Sequence, residues 1–326
     1  MVAKKVPTYR FFTLYCLFLT FFYTGELCNC RFFCMLVGMM GKMMVWTRAA
    51  RPKTLLAGIS PALLGSVLAM RSGAFDWFLF GVTVVTALLL QIGANLTNDY
   101  SDFVRGADNS NRKGQMRMTG AVSPATMKKA AYLTLLISGV TGSYLIFKGG
   151  ILIACMMPLA IFFALIYTAG PFPLAYLGLG DLAVFLLFGP LAVGSTFFLQ
   201  RGYFSKESLI LGTGIGLLAA AILMVNNVRD VEEDRAANKR TLVVRFGVIF
   251  GKSLYVFEVF GAAIIPLLVR KDNPLLLTAP LILIPGLLLI KSLLHYRDPR
   301  ELNLVLENTA KLLLVYTLLL CAALLL

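Results

Sequence analysis

Nine apolar runs alternate with short polar breaks along most of this chain, near 54–70, 77–98, 124–147, 149–168, 180–200, 207–228, 251–270, 274–296 and 304–325. A helix rises about 1.5 Å per residue, so roughly 20 apolar residues cross a hydrocarbon core about 30 Å thick. The runs have that length. They predict an all-α integral membrane protein, with nine transmembrane helices around a central cavity that opens to the cytoplasmic side. No soluble domain and no low-complexity linker interrupts the pattern.

Residues 1–45 stand apart from it. Lys4, Lys5 and Arg10 precede an apolar stretch from Phe11 to Thr24, which is short for a span and has the make-up of a signal h-region. The expectation is a dispensable N-terminal extension before a membrane domain over 46–326. Met35, Met39, Met40, Met43 and Met44 are all candidate starts of the regular pattern.

Composition agrees with a bilayer as solvent. Of 326 residues, 59% are hydrophobic and only 14% charged, and the mean hydropathy is +0.81; a water-soluble domain carries much more charge. The net charge of +14 does not point to nucleic acid, because the basic residues flank the apolar runs. With the N-terminal side as side one, the loops after the second, fourth, sixth and eighth runs share that side. They hold most of the lysines and arginines, among them Arg51, Lys53, Arg105, Arg112, Lys113, Arg117, Arg229, Arg235, Lys239, Arg240 and Arg245. Side two holds only Arg71, Lys148, Arg201, Lys206, Arg270 and Lys271. Basic loops stay inside, so side one is cytoplasmic and the protein is expected to be multi-pass in the cell inner membrane. Six cysteines show no zinc-like spacing, and His295 is the sole histidine, which leaves no basis for histidine-centred metal or triad chemistry.

The chemistry gathers where two runs end. Asn95, Asp99 and Asp102 stand at i, i+4 and i+7 at the end of the second run, on one helical face. Asn226, Asp230 and Asp234 stand at i, i+4 and i+8 at the end of the sixth, also read as one face. Acidic side chains at membrane depth are costly, and their default reading is functional. Interfacial Asp and Arg that simply cap helices would explain Glu232, Glu233 and Arg235, but not a duplicated Asn-x-x-x-Asp on two parallel helices. The duplication reads as a weak internal repeat in which each half lends carboxylates to a shared cavity. Hard oxygen donors suit Mg²⁺, and Asp108 is a further acidic candidate. The flanking cations, Arg105, Arg112, Lys113 and Arg117 on one side and Arg229, Arg235, Lys239 and Arg240 on the other, complete a diphosphate clamp. A ligand with an anionic head and an apolar tail fits such a rim, and isoprenyl diphosphates are of that kind.

Two stretches, Asn98-Asp99-Tyr100-Ser101-Asp102-Phe103-Val104-Arg105-Gly106-Ala107-Asp108 and Asn227-Val228-Arg229-Asp230 with Asp234, resemble the two aspartate motifs of the UbiA superfamily of intramembrane aromatic prenyltransferases. The resemblance runs from about Arg48 to the C-terminus. Ala50-Arg51-Pro52-Lys53-Thr54-Leu55, Tyr167 through Asp181, and Asn226 through Asp230 with Lys239-Arg240-Thr241-Leu242 are similar to the 1,4-dihydroxy-2-naphthoate polyprenyltransferase branch. The six-residue step from Asp102 to Asp108 is also that branch's, where 4-hydroxybenzoate enzymes usually show four. Asp181 stands where the branch often has Glu.

The resemblance implies Mg²⁺-dependent transfer of a polyprenyl group from polyprenyl diphosphate to an aromatic acid, dihydroxynaphthoate, in menaquinone synthesis. Diphosphate leaves, the electron-rich ring attacks the allylic carbon, and loss of carbon dioxide and a ring proton, with a proton taken up at the decarboxylated carbon, restores the quinol. It implies metal and diphosphate roles for Asn95, Asp99, Asp102, Asn226, Asp230 and Asp234. Diphosphate contacts are expected from Arg105, Arg229, Lys239 and Arg240, an acceptor-carboxylate contact from Arg51 or Lys53, and a phenol-steering role from Asp181. The stretch 169–181, rich in Pro and Gly, is expected to be a plain loop or a lid over the cavity. Two rivals stand beside this reading: a related enzyme with 4-hydroxybenzoate, homogentisate or a glycerol phosphate as acceptor, and a cation-coupled transporter.

Overall fold

The computed structural model describes residues 44–73, 75–105, 122–269 and 273–326. The chain divides into a unit of residues 1–48 and a second unit, Ala49–Leu326. In the first, residues 44–48 are helical. The bulk of the expected N-terminal extension, and Asp108, Arg112, Lys113 and Arg117 with it, lie outside the described residues. All that follows concerns the second unit.

The second unit is helical, with no strand among the described residues. Its elements are α1 (Pro52–Arg71), α2 (Trp77–Val104), α3 (Pro124–Ile166), α4 (Gly180–Phe188), α5 (Pro190–Arg201), α6 (Lys206–Arg229), α7 (Val231–Ala236), α8 (Leu242–Phe246), α9 (Val248–Ile264), α10 (Leu283–His295) and α11 (Leu302–Leu325), with short 3₁₀ turns at Ile265–Leu268, Pro274–Ile282 and Pro299–Glu301. The starts are chemically marked. The Asp76 carboxylate accepts from the Leu79 N–H at 3.0 Å ahead of α2, and Ser123 accepts from the Thr126 N–H at 3.2 Å ahead of α3, where Pro124 takes the first turn. Among the described residues, eight segments are long and apolar enough to cross a membrane: α1, α2, α3, α4 with α5, α6, Val248–Leu268, Pro274–His295 and Pro299–Leu325.

One of the eight is double. A straight helix of the 43 residues in α3 would be about 65 Å long, twice the apolar thickness of a bilayer. It is not straight. Gly150 breaks it at φ 63°, ψ −152°, a conformation open only to glycine. The two halves then fold back on each other. A Cβ on Gly142 would sit 2.3 Å from the Met157 Cε, and one on Gly139 would sit 3.6 Å from the Ile161 Cδ1. The expected runs 124–147 and 149–168 are therefore the two arms of an antiparallel hairpin.

The arms of α3 carry exposed apolar side chains, Leu136, Val140, Phe147, Ile151 and Phe162. In water these would be a liability; against lipid they are the expected outer surface. α6 is the opposite case. It is the most enclosed of the spans and packs against α4, α5, α9 and α11. Leu211, Ile215, Leu218, Met224 and Val225 on it are completely buried, with Val259 and Tyr255 of α9 and Leu313 and Tyr316 of α11 around them. The polar end of α6 thus emerges from the middle of the bundle, inside a wall of helices, and that position sets the character of the site.

Candidate active site

α2 runs unbroken through Asn95, Asp99 and Asp102, so these residues share a face as the spacing predicts. They do not share a role. The buried Asn95 gives its amide to the Ala50 carbonyl at 3.0 Å and to the Thr54 hydroxyl at 3.2 Å, tying α2 to the turn that starts α1. Asp99, half-buried, is ion-paired to Arg51. Asp102 accepts a hydrogen bond from the Tyr176 hydroxyl at 3.3 Å. Next to it Asn98 accepts from Thr168 at 2.5 Å.

The second segment departs from expectation. α6 ends at Arg229, Asp230 serves as its C-cap at φ −100°, ψ 14°, and α7 begins at Val231. Asn226, Asp230 and Asp234 are therefore not one face of one helix. Asp230 is the joint between two helices, and the i to i+4 step survives it through the Asp234 N–H to Asp230 carbonyl bond at 2.8 Å. Arg229 is not a free clamp either. Its guanidinium donates to both Asp230 oxygens at 2.8 Å, to the Asn226 carbonyl at 2.6 Å and to the Asn303 carbonyl at 2.9 Å. It is buried and fastens the end of α6 to the start of α11. Lys239, buried as well, lies 3.5 Å from the wholly enclosed Asp234.

A strap over residues 167–179 joins the two banks of carboxylates. At one end the Arg105 guanidinium donates to the Gly170 carbonyl and stacks over the Tyr176 ring at 4.8 Å. At the other, the Arg240 N–H donates to the Tyr176 carbonyl at 3.2 Å, Arg245 donates to the carbonyls of Leu177 at 2.8 Å and Arg240 at 3.1 Å, and the Lys239 ammonium lies 5.8 Å from the Tyr176 ring centre. Gly178 lets the strap close down: it has φ 75°, and a Cβ there would be 2.8 Å from the Arg240 carbonyl. Tyr176 thus touches groups from both aspartate segments. Burial first, then the nearby Asp102 charge, raises its phenol above the ordinary tyrosine range, so it stays a proton donor. Burial does the same for Tyr167, which also feels Asp181, Asp102 and Asp234. Sequence reasoning gave no role to Tyr167, Tyr176, Asn98 or Asn303. Tyr176 lies inside a stretch that was singled out, but nothing in the spacing tells that a residue 74 positions from Asp102 reaches it.

Asp181 is buried at the start of α4 and accepts from the Asn227 amide at 3.3 Å. Lys53 is directed elsewhere: it pairs with Glu307 of α11. Arg240 and Arg105 have exposed side chains.

Among the described residues no three His, Cys, Asp or Glu side chains close on one point. The donors instead form two banks of aspartates, each with a cation in contact. An all-oxygen set that offers one or two carboxylates per bank suits Mg²⁺, which takes few protein ligands and completes its octahedron with water and phosphate oxygens.

Residues 58–312 match the UbiA prenyltransferase family. The chain is 32% identical over 286 residues to a 1,4-dihydroxy-2-naphthoate octaprenyltransferase of Escherichia coli, covering 83% of this chain and 92% of that one. It is 32% identical over 291 residues to the enzyme of the same name from Mycobacterium tuberculosis, covering 87% and 98%. Among solved structures, the fold is similar to a UbiA homolog from Archaeoglobus fulgidus bound to GPP and Mg²⁺, with a TM-score of 0.63, 17% identity and coverage of 86% and 100%. An apo UbiA homolog from Aeropyrum pernix gives a TM-score of 0.64 at 14% identity, covering 84% and 97%.

Proposed function

The chain belongs to the UbiA prenyltransferase family, and on that premise we propose that it transfers a polyprenyl group from a polyprenyl diphosphate to 1,4-dihydroxy-2-naphthoate, with release of diphosphate and carbon dioxide, in menaquinone biosynthesis. The observation that carries the acceptor is the 32% identity, over most of both chains, with octaprenyltransferases of that name. The observation that carries the chemistry is the convergence of two aspartate segments and their cations on one strap.

The site divides the work. Asp99 and Asp102 on one bank, and Asp230 and Asp234 on the other, would hold Mg²⁺; Asn95 and Asn226 build the banks rather than project from them, through their bonds to Ala50 and Arg229. Bound there, Mg²⁺ neutralises diphosphate charge and makes diphosphate a better leaving group. Arg105, Lys239 and Arg240 lie at the strap, where cations stabilise the negative charge that grows on the leaving oxygens as the allylic C–O bond lengthens. Arg51 is the cation left for an anionic group of either substrate, since Lys53 is held by Glu307. Asp181, with Asn227, is suited to take a hydrogen bond from an acceptor phenol and to orient the ring for attack.

The hairpin supports nine crossings. Were α3 one crossing, the strap that follows it would lie on the opposite side of the bilayer from Asn98, Asp102 and Arg105, which it touches. With nine crossings both aspartate segments and the strap share the lysine-rich and arginine-rich side, which the positive-inside rule assigns to the cytoplasm. The protein is then a multi-pass inner-membrane enzyme with its site at the cytoplasmic rim and its polyprenyl chain among the apolar helices. Carboxylates at span ends, not at the midplane, also disfavour a transporter.

The test is direct. Purified protein with Mg²⁺, a polyprenyl diphosphate and a panel of aromatic acids should yield a decarboxylated prenyl naphthoquinol by mass, with 4-hydroxybenzoate and homogentisate unreacted. Product from 4-hydroxybenzoate alone would reassign the acceptor.

A further inference from the structure

The four aspartates are paired in unlike ways, and Arg51 is the odd one among their partners. Arg229 and Lys239 are buried next to their carboxylates on the same stretch of chain. Arg51 comes from a different helix start, its side chain is 36% exposed, and its one hydrogen-bonded side-chain partner among the described residues is Asp99. Its backbone is the reverse. Arg51 sits at φ 51°, ψ 67°, which residues other than glycine seldom adopt. It is held there by the Thr54 N–H and hydroxyl on its carbonyl at 2.9 and 3.0 Å, and by Asn95 on the preceding carbonyl. A fixed root thus carries a partly exposed side chain with one tether among the described residues.

We propose that Arg51 and a divalent ion exchange on Asp99: the guanidinium pairs with that carboxylate until the ion takes it, and then turns to the anionic group that arrives with the ion. The inference rests on the function proposed above and assigns an order to it. A guanidinium and Mg²⁺ compete for one carboxylate, so the ion alone binds weakly. An incoming anion rewards the release of Arg51, because a guanidinium fork suits diphosphate or carboxylate oxygens better than open solvent. Ion and anion then bind cooperatively, and Asp99 has a cation beside it at each stage.

The test measures binding, not turnover, on the full-length chain in detergent. Mg²⁺ is titrated by calorimetry, alone and with a thiolodiphosphate analogue of geranyl diphosphate. In Arg51→Gln, Mg²⁺ alone should bind roughly tenfold tighter than in wild type, because its competitor is gone. The analogue, at saturating Mg²⁺, should bind roughly tenfold weaker if the released guanidinium goes to diphosphate. If it goes to the acceptor, binding of 1,4-dihydroxy-2-naphthoate should weaken instead. Arg51→Lys, which keeps charge but loses the fork, should fall between, and serves alone if the Gln variant does not fold. Unchanged or weaker Mg²⁺ binding on charge removal would overturn the proposal, as would undiminished binding of both anions. Failure of wild type to bind the analogue with Mg²⁺ would instead strike at the function itself.

Discussion

The two aspartate segments have the same Asn-x-x-x-Asp spacing and opposite surroundings. The first lies at the end of α2, near the outside of the bundle; its carboxylates are half-buried and meet partners lent by distant stretches, Arg51 and Tyr176. The second lies at the end of α6, in the middle of the bundle. Its carboxylates are buried and meet partners from their own stretch, Arg229 and Lys239. An exposed pair in high dielectric contributes little to stability and is easily exchanged, whereas a buried pair is costly to break. Sequence duplication therefore does not mean duplicated function. The second segment reads as the fixed bank of the site and the first as the adjustable one.

Loss of activity should be similar on both banks while loss of stability is not. Asp99→Ala and Asp230→Ala should each lower turnover beyond detection in a prenyl-transfer assay, because each removes a carboxylate proposed to hold Mg²⁺. Asp230→Ala also leaves the buried Arg229 without its ion-pair partner, at a cost of roughly 3 kcal/mol. Asp99→Ala leaves a partly exposed Arg51, at a cost below about 1 kcal/mol. Thermal unfolding in detergent should show a clearly lower midpoint only for Asp230→Ala. Equal midpoints would erase the distinction between the banks.

Asn303 sharpens the same point. Its side-chain carbonyl holds Arg229 at 2.9 Å. Asn303→Ala should destabilise the protein by about 1–2 kcal/mol and reduce turnover several-fold through the tilt of Asp230. A change in turnover with no change in unfolding would mean that Asn303 meets substrate itself.

The spans were legible because apolar length is a one-dimensional property. Runs 124–147 and 149–168 could be separated by their lengths, and the Gly150 reversal falls at the second residue of the later run. The four aspartates were legible because ionised groups at span ends stand out. What the pattern hid were the partners. Arg229 looks like a clamp in sequence, and only the burial of α6 shows that its donors are spent on Asn226, Asp230 and Asn303. Likewise a helix period carried through 226–234 missed the cap at Asp230, since nothing apolar marks that break. Tyr176 and Arg51 reach their aspartates across long stretches of chain, which no local spacing encodes.

A smaller effect belongs to the residue shared by both banks. Tyr176→Phe keeps the ring under Arg105 and Lys239 but removes the hydroxyl that donates to Asp102. Stability should fall by only about 1 kcal/mol, and kcat several-fold with KM for the prenyl diphosphate little changed, since Asp102 is merely re-aimed. A raised KM with kcat intact would make Tyr176 a substrate contact.

The smallest signal is its titration. Burial and the Asp102 charge raise the Tyr176 phenol, which fixes the sign. A group whose folded pKa lies above its unfolded value, about 10 for tyrosine, contributes stability that is complete below that value and fades only as pH rises through the folded one. The Tyr176–Asp102 bond should thus outlast the ionisation of exposed tyrosines. Alkaline difference spectra at the tyrosinate band should match between wild type and Tyr176→Phe up to about pH 10 and diverge above it, with the missing absorbance arriving late in wild type. Divergence below that pH would mean that the phenol is in water, that the strap stands open, and that the two banks are not joined through it in the resting enzyme.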